Sequence, residues 1–430
     1  MITLNGKYAE AKVFTDIFDD KTVSQIIGIL NSPVSEGQKV RIMPDCHNGA
    51  GCVVGTTMTI GDKVNVNFVG VDIGCGMYLV RIPEGSNLDF AKLDEACHYV
   101  PSGMASWDDE FYKVKLWEAF GINDPIKWLK QLKCFDELHD VDRLIKSLGT
   151  LGGGNHFIEL DIDERSPLKN HFLVIHTGSR NLGLQVAKIY QNKAVKNLHS
   201  NRKERDELIT RLKAEGRQTE IESALKSLKS MTASAKISDD MAWLEGEDLK
   251  DYLHDMFVCQ NFANLNRRAI AKIVLEKWLG IKIRIVNKTK LKGNELYELM
   301  DLETVHNYID MNKMILRKGA VSAKKSELLI IPMNMRDGSL ICSGLGNDDW
   351  NQSAPHGAGR LMSRSSAKAS LDLDEFKEEM KDIYSTTVNQ STIDESPMAY
   401  KPMQSILDNI KDTVEVLTVI KPVYNFKASE

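Results

Sequence analysis

The chain has no run of about 18 apolar residues that could cross a bilayer, and its first residues, Met1-Ile2-Thr3-Leu4-Asn5-Gly6-Lys7, lack the apolar segment of a secretory signal. Its seven cysteines, at 46, 52, 75, 97, 134, 259 and 342, are odd in number and contain no CxxC pair. That spacing excludes a disulfide framework or a zinc ribbon and predicts reduced thiols and a cytoplasmic location. No repeat, low-complexity tract or Pro/Ser/Gly-rich linker divides the 430 residues, so a single continuous domain, 1–430, is expected. The familiar nucleotide and protease signatures are missing too: there is no GxxxxGK[ST], no GxGxxG after a strand, no HExxH and no GxSxG. If a nucleotide binds, it binds without a P-loop.

A net charge of −5 argues against a chain that coats nucleic acid by bulk electrostatics. The average hides clustering. Residues 188–236 carry 12 Lys and Arg against six Asp and Glu, and residues 267–292 carry nine against one, Glu276. Two basic stretches are therefore available for phosphates, although a charge run is more often a solvated helix face.

Short strands joined by glycine turns are predicted over 40–43, 49–55 and 69–81, packed helices over 107–147, and a strand over 172–175. A polar, glycine-poor stretch reads as a helical insertion over 184–260 within a mixed α+β domain.

What carries chemistry is a set of glycine-rich loops, each holding a metal ligand or nucleophile: Pro44-Asp45-Cys46-His47, Asp72-Ile73-Gly74-Cys75-Gly76, Gly152-Gly153-Gly154-Asn155-His156, His176-Thr177-Gly178-Ser179-Arg180, Val305-His306-Asn307 and His356-Gly357-Ala358-Gly359-Arg360. One His beside Gly is ordinarily a hydrogen-bonded turn residue. Six such loops together let side chains from distant segments converge. Asp72 and Cys75 can face one ion, a deprotonated Cys75 can bridge two, and His156, His176 and His306 can supply neutral imidazoles. Such mixed ligation admits zinc, manganese, iron or cobalt, and a closed structural zinc site is the bland alternative. His356 differs: the glycines after it leave backbone N–H groups to cradle an anion beside an imidazole able to attack a phosphoanhydride, with Arg360 and Arg364 close by. Cys46, Cys52, Cys97, Cys134, Cys259 and Cys342, with His98, His139, His171, His199 and His254, are read as structural or surface residues.

Taken together, these loops and Arg317-Lys318-Gly319-Ala320 resemble the RtcB family of GTP- and Mn²⁺-dependent RNA ligases, over nearly the whole chain. The resemblance implies an α+β domain specific to that family, with loops converging on a dinuclear metal site. It implies an enzyme that joins RNA 2′,3′-cyclic phosphate or 3′-phosphate ends to 5′-hydroxyl ends, with tRNA or rRNA fragments as plausible partners and an archease-like activating protein as a further one. His356 would become guanylylated. Asp72, Cys75 and His156 would hold one Mn²⁺ and Cys75, His176 and His306 a second. Asn155, His156, Phe157, Ile158, Glu159, His306, Asn307, Ser339, Gly357, Ala358, Gly359, Tyr400 and Lys427 match GTP-contacting positions, as does the loop Pro332-Met333-Asn334-Met335. That loop departs from the family's Pro-Gly-Ser-Met and continues into Arg336-Asp337, so nucleotide preference is the property most open to change. Asp45, beside the motif loops, is expected to help deprotonate the 5′-hydroxyl. The competing readings are a metal-dependent phosphodiesterase that heals RNA ends without joining them, and a non-catalytic RNA- or ribosome-associated factor.

Overall fold

The structure, a computed structural model, describes residues 1–82, 84–108, 115–166, 169–200, 202–225, 237–282 and 301–428. It is mixed α+β, as expected, and two antiparallel-rich sheets organise it. The first has six strands in the order Ile2–Asn5, Glu10–Val13, Val40–His47, Val54–Thr59, Ile315–Lys318 and Asn307–Asp310. The second has seven, in the order Asp301–Val305, Gly76–Arg81, His171–Thr177, Phe157–Ile162, Val414–Lys427, Gly338–Gly344 and Leu328–Asn334. The two chain neighbours Asp301–Val305 and Asn307–Asp310 belong to different sheets, so His306 lies at the crossing.

Register explains why distant motifs meet. Across the seven-stranded sheet, Val305 pairs with Gly76 and Gly76 with Thr177, while His176 pairs with Phe157 and Phe157 with Lys427. One end of the sheet therefore gathers the residues at or beside His306, Cys75, His176, His156 and Lys427. Gly76 is obligatory at this crossing, because a Cβ there would lie 2.2 Å from the Thr304 carbonyl oxygen.

The helix Gly246–Leu279 runs behind this end of the sheet. It opens with acidic Glu247 and Asp248 and stops at Gly280, whose φ of 69° suits a left-handed C-terminal turn. Its buried apolar residues, including Tyr252, Met256, Phe262, Ile270 and Trp278, join the main core with Trp117, Leu129 and Ile175.

Three details differ from the expectations. The strand predicted over 69–81 begins only at Gly76, because residues 66–75 turn to present Asp72 and Cys75. Residues 49–53 form a loop, the strand beginning at Val54. Within 184–260 the helices Arg180–Ser200, Arg202–Ala214 and the start of the long helix are present, and residues 226–236 lie outside the described residues. Among the described residues, no helix is long and apolar enough to cross a membrane.

In the basic stretch 267–292, four of the described side chains are committed to partners. Arg267 is fully buried against Glu303, Arg268 pairs with Asp301 at 2.9 Å, Lys272 pairs with Glu276, and Lys277 lies over the Tyr99 ring. Its residues from 283 on lie outside the described residues. Of these four, Arg267 alone lies in the interior, while Lys277 is exposed.

Candidate functional site

Two groups of three ligand atoms share Cys75: Asp72, Cys75 and His156 form one, and Cys75, His176 and His306 the other. Within each group the atoms lie within 4.8 Å of one another. Cys75 Sγ is 3.5 Å from His156 Nε2 and 3.3 Å from His176 Nε2, and His176 Nε2 is 3.4 Å from His306 Nε2. His156 and His176 place Nδ1 2.9 and 3.0 Å from the Leu151 and Asn155 carbonyl oxygens, so Nδ1 carries the proton and the Nε2 lone pair turns inward.

Those lone pairs face other acceptors. His156 Nε2 is 3.0 Å from Asp72 Oδ2, and two imidazole nitrogens meet between His176 and His306. Only a proton or a cation between such atoms makes the arrangement favourable. Protons are disfavoured, since burial, and then the neighbouring positive and histidine side chains, hold His176 and His306 well below the ordinary imidazole range. Burial works to raise Asp72, yet with the His156 ring and then the Cys75 thiol beside it the carboxyl stays at about 2. Burial, reinforced by the Asp72 charge, pushes the Cys75 thiol well up. One carboxylate, one thiol able to bridge and three neutral imidazoles fit two divalent transition ions.

Glycine shapes this centre as well. A Cβ on Gly178 would lie 2.1 Å from Asp72 Oδ1. The Asp72 carboxylate can therefore sit against the backbone only there.

Two residues that the motifs do not flag tie the loops together from the middle of the long helix. Asn266 Oδ1 accepts from the Gly149 and Thr150 N–H groups at 2.7 and 3.1 Å, and its Nδ2 donates to the Thr150 and Gly178 carbonyls. Arg267 Nη1 donates to the Gly74 and Thr177 carbonyls at 2.8 and 2.7 Å while its other side pairs with Glu303. A polar Asn-Arg pair on the helix face otherwise marked by Phe262, Ala263, Ile270 and Val274 is the signal that could have found them. Arg267→Met should lower unfolding free energy by about 3–5 kcal/mol, because a buried ion pair is broken and two carbonyls lose their donor. Arg267→Lys should recover little of it, since an ammonium does not reproduce the fork. Urea denaturation of the three proteins checks this.

His356 lies one ring away from the metal centre, 4.8 Å from His306 between ring centroids. It follows the strand Ser353–Pro355, held against Ala320–Ser322. Its Nδ1 is 2.6 Å from Asp45 Oδ2, which also accepts the His356 backbone N–H at 3.1 Å. Asp45 is fully buried and is not among the residues that line the open cavity. Lys401 Nζ anchors the Asp45 loop by donating to the Ile17, Pro44 and Cys46 carbonyls.

His356, His176, Asn155, Phe157, Glu159, Tyr400 and Lys427 line a cavity of about 850 Å³, together with Pro332 to Met335 and Gly357 to Arg364. That volume suits a nucleotide-sized ligand. Glu395, pressed against Lys427, Arg360, Arg364 and the Tyr400 hydroxyl, forms the charged wall. Burial works to raise its carboxyl, but the charge of Lys427 and then of the two arginines outweighs it, leaving it at about 2.

The remaining expected contacts vary in their surroundings. Ile158 alternates into the core, and Ser339 is fully buried with its hydroxyl unpartnered among the described residues. Asn307 spends its amide on the Asp72 carbonyl and the Gly319 N–H. In the divergent loop, Met333 and Met335 pack into two separate apolar clusters, and Asn334 Oδ1 caps its own turn by accepting the Arg336 and Asp337 N–H groups. Arg336 is paired with Asp337 and Glu379. The Met that stands at 333 in place of the family's Gly is thus taken into the core, and the added charge is neutralised locally. Cys46, Cys52, Cys97, Cys134, Cys259 and Cys342 are all buried free thiols, as expected for structural residues.

Comparison with known proteins agrees with this geometry. The family model described as "tRNA-splicing ligase RtcB" matches residues 25–428. The RNA-splicing ligase RtcB of Escherichia coli K12 is 30% identical over 406 residues, covering 89% of this chain and 88% of that protein. The tRNA-splicing ligases RtcB of Aeropyrum pernix and Archaeoglobus fulgidus are 26% and 27% identical, with 93% and 91% of this chain and 89% and 87% of those proteins covered. With converging metal-ligand loops and a match across nearly its whole length, this chain belongs to the RtcB family.

Proposed function

We propose that the protein is a cytoplasmic RNA ligase that joins RNA 2′,3′-cyclic phosphate or 3′-phosphate ends to 5′-hydroxyl ends, using GTP and storing GMP on His356. The observation that carries this reading is the Asp45–His356 pair, set between two metal-ligand triads and a nucleotide-sized cavity. With Nδ1 protonated against Asp45, His356 keeps a lone pair on Nε2. That nitrogen attacks the α-phosphorus of GTP, an N–P bond forms, and the P–O bond to pyrophosphate breaks. An oxygen of the RNA 3′-phosphate then attacks the same phosphorus, which breaks the N–P bond and returns neutral imidazole. Finally the 5′-hydroxyl oxygen attacks the activated 3′-phosphate, loses its proton, and GMP leaves.

Asp72, Cys75 and His156, and Cys75, His176 and His306, would hold two divalent ions, Mn²⁺ in this reading, which supply Lewis-acid neutralisation of phosphate charge. Arg360, Arg364 and Lys427 face the cavity and hold phosphate and RNA oxygens, while Tyr400 and Phe157 offer ring surface to a base. Relatives named as RNA-splicing and tRNA-splicing ligases support RNA as the substrate.

The test uses purified protein, Mn²⁺, α-labelled GTP, and two RNA fragments carrying a 3′-phosphate and a 5′-hydroxyl. An acid-labile protein–GMP adduct, and a joined RNA that requires GTP, are the expected results. Opening of a cyclic phosphate with neither adduct nor joining would assign end healing instead.

A further inference from the structure

The strand Phe157–Ile162 places Glu159 and Asp161 on one face, two residues apart. Glu159 lines the cavity, and Asp161 lies behind it, fully buried and away from the cavity wall. Two residues apart on one strand face, the two carboxyl groups are neighbours. Neither oxygen of Asp161 meets an N–H or O–H donor among the described residues. A charged Asp161 in that position would have no compensation, with Phe172 and Pro422 as its cross-strand neighbours. Glu159, by contrast, accepts from Asn425 Nδ2 at 2.6 Å and feels the Lys427 charge.

We propose that Asp161 is a positioning residue for nucleobase selection: its carboxylic acid O–H donates to Glu159 from behind the cavity and holds Glu159 as a carboxylate turned to accept two donors from a guanine edge. The inference rests on the GTP reading above. Two like carboxyls in a dry site share one proton, and the charge stays on the member that has other donors. Here that member is Glu159. Burial, with the charge of Glu159 next, pushes Asp161 well above the ordinary carboxyl range, while the upward push of burial on Glu159 is opposed by Asp161, Asn425 and Lys427.

The chemistry selects the base. A carboxylate with two free lone pairs complements the N1–H and N2–H donors of guanine and meets a lone pair at adenine N1. Inosine keeps N1–H but lacks the amino group. A Glu159 that takes the proton itself presents one donor and one acceptor, which fits adenine better than guanine. Asp161 therefore sets which purine the cavity prefers, without touching it.

The test is equilibrium binding of the α,β-imido analogues of GTP, ITP and ATP, whose bond to the leaving group resists cleavage, with Mn²⁺ present, to the full chain and to Asp161→Asn and Asp161→Leu. Asn keeps a donor aimed at Glu159 and is expected to leave the GTP:ATP and GTP:ITP affinity ratios within about threefold of the parent. Leu removes the donor and should lower both ratios about tenfold or more, the range for a hydrogen bond to a charged group. Ratios are insensitive to the fraction of folded protein, so partial misfolding does not mimic the result. If Asn behaves like Leu, or if Leu leaves the ratios unchanged while the parent prefers GTP, the role of Asp161 is overturned and the GTP reading stands. If the parent shows no preference for GTP, that reading falls and this inference with it.

Discussion

Replacing Cys75 with alanine is expected to remove both divalent ions from the protein and to bring protein–GMP formation below detection. Cys75 is the one side chain common to the two ligand groups, whereas His306 belongs to one. Loss of a mere outer-shell partner costs a metal site about 10- to 100-fold in affinity, so loss of a shared ligand should exceed about 100-fold at each ion. His306→Ala should retain one of the two ions. Equilibrium dialysis with Mn²⁺ followed by elemental analysis separates the variants, with about two, one and no ions per chain for parent, His306→Ala and Cys75→Ala. The thiol also gives a sign. Burial and Asp72 keep it protonated when no cation is present, so binding must expel a proton and affinity must rise with pH until the thiolate forms freely. Proton release in weak buffer, present in the parent and reduced in Cys75→Ala, reads this directly. Stability supplies a control: a ligand at about 100 times its dissociation constant adds about 2.7 kcal/mol, so Mn²⁺ should raise the melting temperature of the parent and leave that of Cys75→Ala unmoved. Equal metal content in the two proteins would exclude Cys75 as a ligand.

What the sequence made legible was the part written in glycine. Four of the six motif loops place a ligand or nucleophile beside a residue that has no Cβ, and Gly76 and Gly178 show the reason: the backbone approaches Thr304 and Asp72 too closely for any side chain. The residues that hold those loops were not legible in this way, because Asn266 and Arg267 act through side chains from a helix interior and carry no turn signal. Asp161 was hidden for a related reason. A carboxylate on a strand reads as a solvated alternate residue, and only the fold reveals that its face of the sheet is covered. Charge was legible as composition but not as surface. The nine basic residues of 267–292 include Arg267, Arg268, Lys272 and Lys277, whose partners come from their own helix or from segments far along the chain. In the divergent loop, the departure from Pro-Gly-Ser-Met suggested a changed nucleotide preference. The packing of Met333 into an adjacent apolar cluster is a tertiary outcome that no local pattern encodes.

Asp45→Asn should slow protein–GMP formation by about 10³- to 10⁴-fold while leaving GTP affinity within a few fold, the size of effect seen when a carboxylate that fixes a catalytic histidine's tautomer becomes an amide. Asp45 Oδ2 receives both the ring Nδ1 and the backbone N–H of His356, so in the parent the proton is on Nδ1 and the Nε2 lone pair is free. An asparagine amide can instead donate to Nδ1. The ring proton then moves to Nε2, where it occupies the orbital that must reach phosphorus. Because the amide is isosteric, the cavity and the metal ligands keep their places, and Mn²⁺ content should match that of the parent. The two candidate roles of this residue separate at the step affected. A residue that only deprotonates the 5′-hydroxyl would leave adduct formation at its normal rate and slow the final joining of a pre-activated RNA. A residue that sets the His356 tautomer slows adduct formation and spares that last step, since the imidazole has already left the phosphorus. Rapid-quench measurement of GMP transfer to protein, beside ligation of RNA already carrying a 3′-guanylate, distinguishes the two. The buried position of Asp45 and its 2.6 Å contact with Nδ1 favour slowing of the first step alone.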